Sequence, residues 1–281
     1  MQAITSTVEL EFAKMHGAGN DFMVVRWPEG MAPPPRELVR GWSDRRRGVG
    51  FDQLLILQTP REAGLAAHYR VFNADGSEVE QCGNGVRCVA RYLAGDGQDA
   101  TLILGGPAGA VEARLLGGGE VAVNLGVPDF APAAVPLRLQ PQSDRYRLAL
   151  DSGAVQFGAV SLGNPHAVVR VDSVDAAPVG ILGAELQRHP SFPDGVNVGF
   201  VEVLDSASVR LRVLERGTGE TRACGTGAAA AVAVGRLWRL LDEAVRVALP
   251  GGTLTVRWPG PGQALWLSGP VTRVFEGRIQ L

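Results

Sequence analysis

Gln81-Cys82-Gly83-Asn84-Gly85-Val86-Arg87-Cys88 and Ala223-Cys224-Gly225-Thr226-Gly227 carry one local pattern twice, their leading cysteines 142 residues apart. Each Cys-Gly-x-Gly opens a run of small and apolar residues with no interior proline. That composition predicts two buried helices, Asn84–Leu93 and Thr226–Leu241, each beginning at a cysteine. Two of the three cysteines therefore occupy equivalent places, and the chain reads as a diverged repeat. Polar residues precede the cysteines at matched distances. Asn20, Gln53 and Asn73 lie 62, 29 and 9 residues before Cys82, while Asn164, Asn197 and Glu215 lie 60, 27 and 9 before Cys224.

Outward from these helices, short strands separated by Gly, Pro, Asn and Asp dominate. Among them are Leu10–Met15, Phe22–Trp27, Gln53–Gln58, Ala67–Asn73, Asn197–Leu204, Ser208–Leu214, Gln263–Leu267 and Val271–Phe275. Pro35–Arg46 and Val179–Arg188 read as surface helices, and Pro128–Pro141 as the linker. The expected division is residues 1–127 with a strand returning at 270–281, and residues 128–269.

The 281 residues are 46% hydrophobic and 20% charged, enough for substantial cores. A net charge of −2 gives no support for a nucleic-acid partner. The longest apolar run, Ala228–Gly235, is far short of the roughly 20 residues a membrane helix needs. No signal-peptide pattern opens the chain. Three cysteines do not form a disulfide framework, so the cytoplasm is the expected compartment. Lys14 is the only lysine, which leaves one position for any Schiff base and argues against a pyridoxal cofactor.

A helix start presents unpaired N–H groups and the positive end of the dipole, and glycines let an anion approach them. A carboxylate fits such a place without a cationic side chain. The same field is expected to acidify a cysteine there. Two such cysteines on opposite faces of one carbon would be a pair of acid–base groups: a thiolate removes the α-proton and a thiol returns one from the other side. That is stereochemical inversion by proton transfer.

Several motifs together resemble diaminopimelate epimerases: Met15-His16-Gly17-Ala18-Gly19-Asn20-Asp21-Phe22, Gly50-Phe51-Asp52-Gln53-Leu54, Phe72-Asn73-Ala74-Asp75-Gly76-Ser77, Gly163-Asn164-Pro165-His166, Gly195-Val196-Asn197-Val198, Glu215-Arg216-Gly217 and the two cysteine motifs. The resemblance runs from about Phe12 to Gly277. It implies an α+β fold of two similar lobes, each a curved, mainly antiparallel sheet around a central helix, closing on substrate in a cleft. It also implies cofactor-independent interconversion of LL- and meso-2,6-diaminopimelate, a step of lysine and cell-wall precursor synthesis. By that resemblance Cys82 and Cys224 are the acid–base pair, and His166 and Glu215 tune them. Substrate would be held by Asn20, Gln53, Asn73, Gly83, Asn84, Asn164, Asn197, Glu215, Arg216, Gly225 and Thr226. About nine residues ahead of Phe12, and Thr221-Arg222-Ala223 before Cys224, depart from the family pattern without touching these roles. A homodimer stays open.

Other readings stand beside this one. One is a related cofactor-free racemase or isomerase of the same fold, such as a proline-racemase-like protein; Asn73-Ala74-Asp75-Gly76 and the Glu215-Arg216 pair favour diaminopimelate by resemblance. A non-catalytic amino-acid-binding module would keep the Asn and Gln set but would not need cysteines at both helix starts. Gly225-Thr226-Gly227-Ala228-Ala229-Ala230 fits a loose dinucleotide pattern, but no apolar strand precedes it. No Cys-x-x-Cys or His-x-x-x-His pair suggests a metal. Cys88 reads as a core thiol.

Overall fold

The structure is a computed structural model that describes residues 8–60, 62–79, 83–95 and 100–281. The chain divides into two compact units, Met1–Val121 with Pro270–Leu281, and Ala122–Gly269.

In the first unit, the strands β1 (Glu9–Gly17) and β2 (Asn20–Arg26) form a hairpin, followed by α1 (Arg36–Ser43), β3 (Gln53–Gln58), β4 (Ala67–Asn73) and the short β5 (Glu78–Val79). Next come α2 (Gly83–Ala94), β6 (Thr101–Gly106) and β7 (Gly109–Leu115), and β8 (Glu120–Asn124) then runs across the boundary between the units. β1 and β2 pair antiparallel, β2 and β3 parallel, β3 and β4 antiparallel, β4 and β6 parallel, and β6 and β7 antiparallel. α2 packs against β1, β2, β3, β6 and β7.

The second unit repeats this order. β9 (Tyr146–Leu150), β10 (Gly153–Ser161) and β11 (Pro165–Val171) lead to α3 (Val179–Arg188), β12 (Asn197–Asp205), β13 (Ser208–Glu215) and β14 (Gly219–Thr221). α4 (Gly225–Leu237), β15 (Ala244–Leu249), β16 (Gly252–Arg257) and β17 (Trp266–Pro270) follow. The antiparallel and parallel steps recur in sequence: β10 with β11, β11 with β12, β12 with β13, β13 with β15, and β15 with β16. The final strand β18 (Thr272–Gln280) pairs with β1, and β9 pairs with β10 in the corresponding place. The expected fold of two similar sheet-and-helix lobes is thus present element by element.

Composition explains why each helix sits inside its sheet. α4 is buried from Gly225 to Gly235, and its alanines let it lie close to β10, β11, β12, β13 and β16. A Cβ added at Gly158 of β10 would fall 2.4 Å from Val234 Cγ1, so the strand must be bare there for the helix to approach. α1 is a surface helix that buries only Val39 and Trp42, three residues apart on one face. Pro128–Pro141 is no free tether, because Val135 and Leu137 are buried in the second unit's core with Phe157, Phe192 and Phe200.

Candidate active site

In the second unit the strand ends place the polar residues. His166, near the start of β11, lies opposite Asn197, the first residue of β12. Asn197 Nδ2 donates to Pro165 O at 3.0 Å, and its Oδ1 accepts the Arg216 N–H at 2.9 Å. Asn197 therefore ties the starts of β11 and β12 to the end of β13. Asn164 Nδ2 donates to Thr226 Oγ1 at 3.3 Å, and Asn164 Oδ1 lies 3.0 Å from His166 Nε2. An amide oxygen only accepts, so that contact makes His166 Nε2 the protonated nitrogen. Burial, aided by the charge of Arg216, lowers the His166 pKa to about 3. The ring is neutral at ordinary pH.

Cys224 is the N-cap of α4, and its sulfur accepts the Gly227 N–H at 3.4 Å. Thr226 Oγ1 lies 3.7 Å from the same sulfur. The charge of Glu215, at the end of β13, acts on the same thiol. The expectation that the helix start would acidify this cysteine is not met in this structure. Burial and then the charge of Glu215 push the Cys224 thiol well up, outweighing the contacts from Thr226 and Gly227. Burial likewise raises Glu215, while bonds from Thr221 and Cys224 hold it down. Both groups are thus shifted toward their protonated forms. Arg216 is exposed and donates from Nη1 to Asp194 O at 2.8 Å.

The first unit repeats the placement. Gln53 begins β3 as Asn197 begins β12, and Asn73 ends β4 as Glu215 ends β13. Gln53 and Asn73 lie opposite one another, with Gln53 Nε2 donating to Asn73 Oδ1 at 3.0 Å. Asn73 Nδ2 continues to Ser77 Oγ at 3.1 Å. Gln53 Oε1 is buried and has no hydrogen-bond partner among the described residues, an acceptor suited to an ammonium. Asn20 follows a tight turn in which Ala18 and Gly19 both have positive φ, 52° and 78°. Asn84 Nδ2 reaches Asn20 Oδ1 at 3.4 Å. Gly83 and Asn84 form the buried first turn of α2. Cys82 lies outside the described residues.

Three supporting residues had no role assigned from sequence. Asp52 accepts from Asn20 Nδ2 at 3.0 Å and from the Asp21 N–H. Thr221 donates its hydroxyl to Glu215 Oε1. Lys14, noted as the lone lysine, is a buried cation bonded to Asp21 and to Gly50 O. Among the described residues no three His, Cys, Asp or Glu side chains gather into a metal site, and no helix is long and apolar enough to cross a membrane.

The diaminopimelate epimerase family model matches residues 12–131 and 158–274. A diaminopimelate epimerase of Ectopseudomonas mendocina is 47% identical over 97% of this chain and 99% of that protein. One from Halorhodospira halophila is 49% identical over 97% and 96%. Among solved structures, a hydroxyproline epimerase from Agrobacterium vitis superposes with a TM-score of 0.70 at 18% identity, covering 97% of this chain and 93% of that one. A Bacillus anthracis phenazine biosynthesis protein of the PhzF family gives 0.67 at 17%, covering 98% and 100%. At such identities these structures speak to fold alone.

Proposed function

The chain belongs to the diaminopimelate epimerase family, and from that premise we propose that it interconverts LL- and meso-2,6-diaminopimelate through Cys82 and Cys224. It is a pyridoxal-independent isomerase of lysine biosynthesis. One cysteine, as thiolate, takes the α-proton, and the other, as thiol, delivers a proton to the opposite face of the α-carbon. The electron pair left by the C–H bond delocalises into the substrate carboxylate. N–H groups at a helix start suit such a charge; α2 offers those of Gly83 and Asn84, and α4 those of Gly225 and Thr226. Reversal exchanges the two sulfur roles.

The observation that carries this reading is the state of Cys224. Its sulfur caps α4 and accepts the Gly227 N–H, and it lies within the field of the half-buried Glu215 carboxyl. A core thiol needs no carboxylate; an acid–base thiol needs a place for its proton. Neutral His166 sits on the same network through Asn164 and Thr226. Arg216 supports recognition of a carboxylate, and the Gln53 acceptor recognition of an ammonium. Asn20, Asn73, Asn164 and Asn197 complete the substrate contacts. A reducing cytoplasm suits a mechanism that depends on thiols.

The test is solvent deuterium incorporation. Reduced protein without pyridoxal phosphate should place deuterium at one α-carbon of LL-diaminopimelate and yield the meso isomer. Folded protein that incorporates none overturns the reading. Cys82→Ala and Cys224→Ala should each abolish epimerisation, and turnover by either removes the two-base scheme. Running the assay over several amino acids, proline included, separates this substrate from that of a proline-racemase-like enzyme.

A further inference from the structure

We propose that Thr221 is a positioning residue that fixes the Glu215 carboxylate and sets how readily it takes up a proton next to Cys224. The inference rests on the epimerase reading above and deepens it. Its basis is geometric. β13 and β14 form an antiparallel hairpin in which Glu215 lies opposite Gly219, and Thr221 lies opposite Val213. The hairpin folds Thr221 back so that its hydroxyl donates to Glu215 Oε1. Only Arg222 and Ala223 separate Thr221 from Cys224. The carboxylate is thus held by a hydroxyl carried on the short segment that leads to Cys224.

The couple holds one mobile proton. When Cys224 acts as base, that proton passes from sulfur to a Glu215 oxygen, the S–H electron pair stays on sulfur, and charge is conserved. When Cys224 acts as acid, the proton goes from sulfur to the α-carbon. The Thr221 hydrogen bond stabilises the carboxylate, so it favours the thiol–carboxylate form over the thiolate–carboxylic acid form. Removing it should make Glu215 easier to protonate.

Neighbouring charges are otherwise engaged. On β14, Glu220 is bound by Arg212, and Arg222 is exposed. Just after β13, Arg216 donates to Asp194 O. On β11, His166 is neutral at ordinary pH. On α3, Glu185 accepts from Ser152, and Arg188 ends the helix. The first turn of α4 carries no acidic residue.

The experiment compares wild type, Thr221→Val and Thr221→Ser. Glutamate carboxyl carbons are labelled with carbon-13, and the Glu215 signal is assigned by its loss in Glu215→Gln. In Thr221→Val the Glu215 carboxyl should titrate about one pH unit higher. The acid limb of kcat/KM should move with it, and Thr221→Ser should restore both. The fixed equilibrium constant requires kcat/KM to change by one factor in the two directions. A folded Thr221→Val protein whose Glu215 titrates as in wild type overturns the inference. If valine prevents folding, Thr221→Ala is read by the same two outcomes. The carboxyl titration needs no turnover, so it decides the role of Thr221 separately. Failure of wild type to exchange the α-hydrogen would instead remove the epimerase reading.

Discussion

Asn20 Nδ2 donates to Asp52 Oδ2 at 3.0 Å, and that same oxygen accepts the Asp21 backbone N–H at 3.1 Å. The carboxylate of Asp52 thereby fixes which end of the Asn20 amide faces Asn84. Asp52 is itself held by Arg45 Nη2 at 2.8 Å. The cluster is partly exposed, so its ion pairs add only about 1 kcal/mol to stability. Orientation is where it matters. Asp52→Ala should raise KM for LL-diaminopimelate about tenfold, with a smaller change in kcat and in melting temperature. An unchanged KM would remove Asp52 from the site.

Gly195 and Arg216 test a different kind of support. Gly195 has φ +70°, and a Cβ added there would lie 3.1 Å from Arg216 Cδ. The Arg216 stem lies over a place where no side chain stands. Gly195→Ala should displace it and raise KM about tenfold, besides straining the backbone by about 1 kcal/mol. Gly217 supplies the control, with φ +76° and nothing within 4 Å of an added Cβ. Gly217→Ala should cost similar stability and leave KM alone. Equal KM values in the two variants would mean that Arg216 is not positioned this way.

Sequence reading went furthest where local pattern and burial coincide. β3 reads Gln-Leu-Leu-Ile-Leu-Gln, four buried residues between two half-buried glutamines, and its expected bounds match. α3 matches too, as Val179–Arg188. β7 was missed: Gly-Ala-Val-Glu-Ala-Arg-Leu has only Val111, Ala113 and Leu115 on its buried face, too small a signal to count as a strand. The strand expected at Gln263–Leu267 begins instead at Trp266, after the turn set by Gly260, Pro261 and Gly262. The Asn, Gln and Glu positions were legible from their spacing to the cysteines and from family resemblance. Thr221 and Asp52 were not, because they act through another side chain. The acidity of Cys224 was misjudged because helix-terminus donors can be read from sequence, whereas desolvation and the approach of Glu215 cannot.

Lys14 makes a prediction about stability. Its side chain is 9% exposed and bridges Asp21, 17% exposed, to the Gly50 carbonyl. Burial pushes Asp21 up, but hydrogen bonds from Arg45 and Lys14 more than offset this and hold its carboxyl well below the usual range. Lys14→Met leaves the carbonyl without this donor and the carboxylate short of one cation. Unfolding free energy should fall by about 3 kcal/mol, measured by urea denaturation. Lys14→Arg should recover part of it. A loss below about 1 kcal/mol for Lys14→Met would show the bridge to be replaceable by water.

His166 makes a prediction about pH. Its folded pKa, about 3, lies below the ordinary 6.5 because burial disfavours the imidazolium. Between those values the unfolded chain binds a proton that the folded chain refuses. Its contribution is therefore fully present above pH 6.5 and is lost as pH falls toward 3, with a slope approaching about 1.4 kcal/mol per pH unit. Asp21 acts in the same direction, but only below its unfolded value of 3.8. Glu215 acts oppositely: its raised pKa favours the folded chain as pH falls, and this contribution cancels between wild type and a His166 variant. The comparison is thus between wild type and His166→Gln at pH 7 and pH 5. Wild type should lose stability by about 1.9 kcal/mol more than the variant over that interval, read from urea midpoints at constant slope. Parallel losses in the two proteins would mean that His166 takes up its proton without unfolding the chain, and that its ring is not held neutral by burial.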